Sequence, residues 1–163
     1  MYLLPGVVKT WAPEGETPVL HHALSKAHVS VISAITPQGE LYFQLQRQAY
    51  NSQAVLGFLD ALHQVIPGKL LVIWDGAPIH HSEAIQQYLA EGAAAWLLLE
   101  PLPGYAPDLN PDEGIWNYLK YTELKNVCSS TITMLEQMVT RAMEHIRQMP
   151  EIVQSTFKQA GLG

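Results

Sequence analysis

The sequence predicts an α/β domain in which a mixed sheet is flanked by helices. Three observations carry that expectation. Residues 29–35 and 41–45 read as two strands joined by a Thr36-Pro-Gln-Gly39 turn. Residues 70–74 and 95–99 are short apolar runs bounded by helix breakers, as in strands of a buried sheet. Between and after these runs, apolar residues recur at helical spacing.

Each further element has its own local reason. Asn51 is suited to cap a helix whose Val55, Phe58, Leu59, Leu62 and Ile66 share one face, and Pro67-Gly68 stops it. The run Leu70-Leu-Val-Ile-Trp74 holds five apolar side chains, two of them β-branched, and predicts a strand buried on both faces. Gly76 and Pro78 break it. Ser82 caps a helix that runs to Glu91 with Ile85, Tyr88 and Leu89 turned inward, and Gly92 ends that helix. Ala95-Trp-Leu-Leu-Leu99 is a further buried strand. A helix opening at Pro111 is expected to reach Lys125. The last long helix covers residues 131–149, with Leu135, Met138, Val139, Ala142 and Ile146 on its apolar stripe. Its methionines suit core filling. Pro150 interrupts, and a short helical tail follows.

Composition bounds the function. The length suits one domain spanning residues 1–163, enough to bury about 70% of the unfolded chain's surface. Nine Lys plus Arg stand against fifteen Asp plus Glu, for a net charge of −6. No basic stripe of the kind that binds nucleic acid unaided is visible. The lone Cys128 excludes an internal disulfide framework and fits a reducing cytoplasm. There is no signal pattern and no apolar run of membrane-spanning length, so no membrane partner is expected. A Gly-rich phosphate loop and a Gly-x-Ser-x-Gly turn are both absent, which argues against a nucleotide-binding domain or an α/β hydrolase.

Two acids stand out by position. Asp75 ends the apolar run at residues 70–74, where open α/β sheets place ligands and catalytic groups. A plain strand-to-turn aspartate would look the same. The second is Glu113. Pro101, Pro103, Pro107 and Pro111 hold the approach to it extended. Asn110 is a natural N-cap, Pro111 suits the first helical position, and Glu113 falls at the third, where the helix dipole favours a negative charge. The same spacing also serves a capping box, in which Glu113 reaches back to the Asn110 amide. Taken together, a carboxylate ending a buried strand and another opening a later helix form two halves of a divalent-metal site.

These residues carry a family resemblance. The segments Trp74-Asp75-Gly-Ala-Pro-Ile-His80 and Leu102-Pro-Gly-Tyr-Ala-Pro-Asp-Leu-Asn-Pro-Asp-Glu113-Gly-Ile-Trp116 resemble the catalytic core of DDE transposases. The match is nearest to the bacterial insertion-sequence branch of the mariner-like superfamily. Asp75 and Glu113 stand 38 positions apart, close to that family's usual spacing of second and third acids. Residues 3–18 look like the segment that follows its first strand. Gly76 stands where the family usually has Asn, and Gly104 where it usually has a second Pro; both departures leave the acids in place.

The resemblance implies a ribonuclease H-like fold and a site of three acids holding two Mg²⁺ or Mn²⁺ ions. Such a site cuts transposon ends and joins them to target DNA. Asp75 and Glu113 are the implied catalytic and metal residues. The family's first Asp ends a strand just before the segment like Tyr2-Leu-Leu-Pro5, and here the chain starts at Met1. Neither Glu14, Glu16 nor Glu40 follows an apolar strand in the right context. The expectation is therefore a catalytic domain without its first strand, its first acid and the family's helix-turn-helix region, inactive alone. The missing strand would lie between the strands at residues 29–35 and 70–74, leaving a slot for another segment or chain.

Other residues have weaker claims. Trp116, Asn117 and Lys120 share a helix face with Glu113, so Lys120 and Asn117 are expected to meet DNA, with a solvated lysine as the alternative. His80 is a further candidate DNA contact, or a polar residue at a helix entry. Asp112 is expected to point away from Glu113 and support the helix dipole. The implied partners are DNA and a second copy or a full-length transposase, in the bacterial cytoplasm beside the nucleoid. An alternative function is a catalytically dead module that binds and inhibits full-length transposase.

Overall fold

The computed structural model describes residues 28–104, 106–127 and 129–162. Residues 3–18, Cys128 and the pair His21-His22 lie outside them. Strands β1 (Ser30–Ile35) and β2 (Leu41–Gln46) form an antiparallel hairpin in which Ser33 pairs with Phe43 and Ile35 with Leu41. The Gly39 N–H donates to the Thr36 carbonyl at 2.9 Å and closes the turn. Gly39 has a φ of +98°, and a Cβ there would lie 2.7 Å from Pro150 Cβ, so only glycine fits.

Helix α1 (Ser52–Val65) opens where the Asn51 side chain accepts the Ala54 N–H at 2.9 Å. It leads into β3 (Leu70–Trp74), then α2 (Glu83–Ala90) and β4 (Leu97–Pro101). Strands β3 and β4 run parallel, Leu70 beside Leu97 and Trp74 beside Pro101. The remaining helices are α3 (Pro111–Tyr118), α4 (Ile132–Arg147) and α5 (Pro150–Gln159). Among the described residues the four strands form two separate pairs, β1 with β2 and β3 with β4, and β1 does not pair with β3.

The period-2 alternation of β1 sends its side chains into two cores. Val31 and Ile35, with Phe43 and Leu45 of β2, pack against Ile115, Leu119, Val139, Met143 and Ile146 of the α3–α5 layer. Ile32 and Ala34 turn the other way, toward Val55, Phe58, Leu59 and Leu62 of α1. The hairpin is thus covered on both faces by helices.

The second strand pair is not, and this corrects the expected two-sided burial of residues 70–74. Leu70, Val72 and Trp74 pack on α1 and α2, while Leu71, Ile73 and Leu98 are 58%, 57% and 58% exposed. The physical reason is that α3, α4 and α5 gather under the hairpin, and none of their core contacts reaches β3 or β4. Two smaller differences concern boundaries. A short 3₁₀ turn occupies Ala93–Ala95, so β4 starts two residues later than expected. The helix bearing Glu113 ends as an α-helix at Tyr118 and continues as a widened π turn over Leu119–Glu123, where the Leu124 N–H reaches the Leu119 carbonyl at 2.9 Å. No helix among the described residues is long and apolar enough to cross a membrane.

Candidate active site

Asp75 follows β3 directly, in a turn built from its own contacts. Its Oδ1 accepts the Ala77 N–H at 3.0 Å. His80 Nδ1 lies 3.0 Å from the Asp75 main-chain oxygen and 3.1 Å from Oδ1. The His80 ring stacks on Trp74 with centroids 4.3 Å apart and planes 4° from parallel. The turn is a 3₁₀ segment over Pro78–His81, with the Ser52 hydroxyl of α1 donating to the Ile79 carbonyl at 3.4 Å. Even so, the Asp75 side chain is 63% exposed. Its Oδ2 makes no hydrogen bond among the described residues.

Strand pairing then brings the second motif toward the first. Trp74 pairs with Pro101, and the Leu102 N–H donates to the Trp74 carbonyl at 2.8 Å. The segment leading to Glu113 therefore leaves the sheet beside the residue that precedes Asp75. After it, Asn110 caps α3 as its sequence predicts: its side chain accepts the Asp112 N–H at 3.1 Å. The capping-box alternative is not formed, because the Asn110 N–H goes to the Pro107 carbonyl at 2.9 Å. The exposed Glu113 carboxylate has no hydrogen-bond partner among the described residues. Glu113, Trp116 and Lys120 line one open recess of about 270 Å³ with Val31 of β1. Asn117 is exposed on the same helix but does not line that recess.

The neighbouring acid, Asp112, does something the sequence does not announce. It is part-buried beneath the helix start, where the Ser33 hydroxyl of β1 donates to its Oδ2 at 2.7 Å. Burial pushes its carboxyl up to about 6; the Ser33 and Trp116 side chains oppose that rise, and the charge of Glu113 adds to it. Its Oδ1 is buried without a hydrogen-bond partner. Asp112 is thus a tie between β1 and α3 rather than only a dipole partner. No local pattern points to a bond between residues 79 positions apart.

Two carboxylates with uncommitted oxygens suit magnesium or manganese, which take hard oxygen ligands and keep several waters. Among the described residues no group of three or more His, Cys, Asp and Glu side chains forms a complete metal-holding set. Asp75 does not line the recess that holds Glu113.

The family model described as DDE superfamily endonuclease matches residues 6–136. The chain belongs to that family. Both acids, and the elements that present them, fall within the matched stretch. No curated protein matches the chain. Solved structures do, and they share the ribonuclease H-like fold. The Mos1 strand-transfer complex matches with a TM-score of 0.61 at 16% identity. The Mos1 transposase paired-end complex with the left transposon end gives 0.62 at 16%, and the Mos1 mariner paired-end complex with Mn gives 0.62 at 15%. Each match covers 96% of this chain and 52% of the Mos1 chain, so this DDE-family chain spans about half the length of those structures.

Proposed function

We propose that this chain is a single catalytic domain of a transposase, of the bacterial insertion-sequence branch, with Asp75 and Glu113 as its metal-holding acids. One observation carries the reading. Each acid is delivered by the rigid end of a regular element, and each keeps carboxylate oxygens uncommitted. The Mos1 structures, described as complexes with a transposon end and with Mn, support DNA and a divalent ion as the ligands.

When bound, two Mg²⁺ or Mn²⁺ ions supply activation of water or of a DNA 3′-hydroxyl and stabilise the leaving oxygen. Asp75 and Glu113 would hold these ions. Lys120 stands in the same recess as Glu113 and offers its ammonium to a backbone phosphate. Asn117 and the Nε2 edge of His80 offer further DNA contacts. The substrates are insertion-sequence ends and target DNA, met in the bacterial cytoplasm; the lone cysteine fits that setting.

Asp75 and Glu113 are two acids, and on this reading two acids alone make an incomplete site. The test is plasmid nicking with Mg²⁺ or Mn²⁺. Nicking no greater than that of a Glu113→Ala control is expected, whereas clear metal-dependent nicking by the unaltered chain alone would overturn the incomplete-site reading. The metal assignment is tested separately by Mn²⁺ binding, which Asp75→Asn and Glu113→Gln should each weaken.

A second reading, a module that binds and inhibits full-length transposase, is favoured by the exposed Leu71, Ile73 and Leu98. Size-exclusion chromatography with an intact relative tests it: co-elution that Ile73→Asp abolishes supports the module, and independent elution removes it.

A further inference from the structure

We infer that the recess beside Glu113 is a seat for an unpaired nucleobase, with Trp116 as its stacking surface. The inference rests on the reading of this chain as a DNA-acting domain, and it names what the recess takes. Val31, Glu113, Trp116 and Lys120 line a volume of about 270 Å³. Two of these side chains are apolar and two carry opposite charges. Val31 comes from β1 and Trp116 from α3, and both are half-buried against the core that holds Ile115, Leu119 and Met143. Glu113 and Lys120 are exposed.

The apolar wall is therefore built before any ligand arrives. A ring already packed on a buried layer loses little freedom on binding. Glu113, Trp116 and Lys120 follow one another at steps of three and four residues, along α3 and into the π turn. Their order is acid, ring, cation. A nucleic-acid strand offers a flat base beside a phosphate, the base for the ring and the phosphate for the Lys120 ammonium. Neither Val31 nor the face of an indole donates or accepts a hydrogen bond, so the wall takes a base by its flat side and reads no base edge. Inside a duplex both faces of a base are covered by its neighbours. The seat thus selects a base in a single strand or at a frayed end. With a net charge of −6 the chain has little general pull on a phosphate backbone, which leaves stacking a large share of the contact.

A short single-stranded oligonucleotide and its blunt-ended duplex, each titrated against the full chain at low salt, test the seat. The unaltered chain should bind the single strand more tightly than the duplex. Trp116→Ala should weaken single-strand binding by about 5- to 150-fold, the range that loss of one base–aromatic stack gives, and so erase the preference. Trp116→Phe keeps a flat ring and should keep the preference. A ring that served only the core would, on removal, weaken both forms alike. That result would overturn the inference, as would equal binding of the two DNAs by the unaltered chain. If Trp116→Ala does not fold, photocrosslinking of the unaltered chain decides. An oligonucleotide carrying a photoreactive iodouracil base should join, on irradiation, to the peptide that contains Trp116, and joining only to other peptides would refute the seat. Failure of the unaltered chain to bind either DNA would instead overturn the reading of a DNA-acting domain, and the inference with it.

Discussion

The two acid-bearing turns solve the same problem in opposite ways. Asp75 is held by its own neighbourhood: Ala77, His80 and Trp74 all lie within five residues of it. Glu113 has no such partners among the described residues, and its placement is set by what surrounds it in the helix. Asp112 bonds to Ser33 of β1, Gly114 packs so close to Thr156 of α5 that a Cβ would lie 2.6 Å from its methyl, and Ile115 is fully buried. One carboxylate is fixed locally with its backbone, the other by long-range packing beneath it. The difference teaches that the Asp75 turn should keep its shape when the helical layer is disturbed, whereas Glu113 should not.

The largest effect should come from breaking that layer. Ile115→Ala removes a side chain at 0% exposure from the core shared by α3, α4 and α5. A loss of roughly 2–5 kcal/mol in unfolding free energy by denaturant titration is expected. Amide exchange below the unfolding transition should speed up around residues 111–118 while the Ala77 amide keeps its protection. Equal acceleration at both turns would show that they are not held independently.

Asp112 sharpens the contrast through pH. Its folded-state value of about 6 lies above the ordinary 3.8, so the folded state binds the proton more tightly than the unfolded one. The sign follows: stability is highest when the carboxyl is protonated in both states, falls as pH rises between those values, and stays lower above them. The loss corresponds to about 3 kcal/mol. Asp112→Asn cannot ionise. Unfolding of the two proteins at about pH 4 and about pH 7 should therefore show the variant gaining on the unaltered chain by roughly 2–2.5 kcal/mol across that interval. A constant difference at both pH values would mean that the Asp112 carboxyl is not buried as described.

What the sequence reveals about these turns follows the range of the contacts. Pro and Gly mark the ends of β3 and the approach to α3, so the strand end before Asp75 and the Asn110 cap are both legible. Local chain chemistry fixes them. The expected two-sided burial of residues 70–74 fails because a run of apolar residues does not state which layer will cover it. Leu71 and Ile73 are as apolar as Leu70 and Val72, and only the gathering of α3–α5 under the hairpin leaves them exposed. Asp112 is legible as a residue off the Glu113 face, but its bond to Ser33 spans 79 positions and has no local signature. His80 lies between these cases. Its distance from Asp75 along the chain is short, yet the stack on Trp74 depends on how the 3₁₀ turn folds back.

The smallest effect on stability should come from the Asp75 turn itself. Ala77 has a φ of −59° and precedes the 3₁₀ segment, a backbone that proline adopts without strain. Ala77→Pro removes the N–H that meets Asp75 Oδ1 at 3.0 Å. The lost bond is exposed and costs roughly 0.5–1.5 kcal/mol at most, while the stiffer unfolded chain returns about 0.4–1 kcal/mol. The two nearly cancel, so the melting temperature should hardly move. The carboxylate should respond all the same, because the Ala77 N–H is the hydrogen-bond donor it has among the described residues. Mn²⁺ binding should therefore weaken in Ala77→Pro without a change in folding. If Ala77→Pro unfolds the protein or leaves Mn²⁺ binding untouched, the Asp75 carboxylate is not organised by its own turn, and the contrast with Glu113 fails.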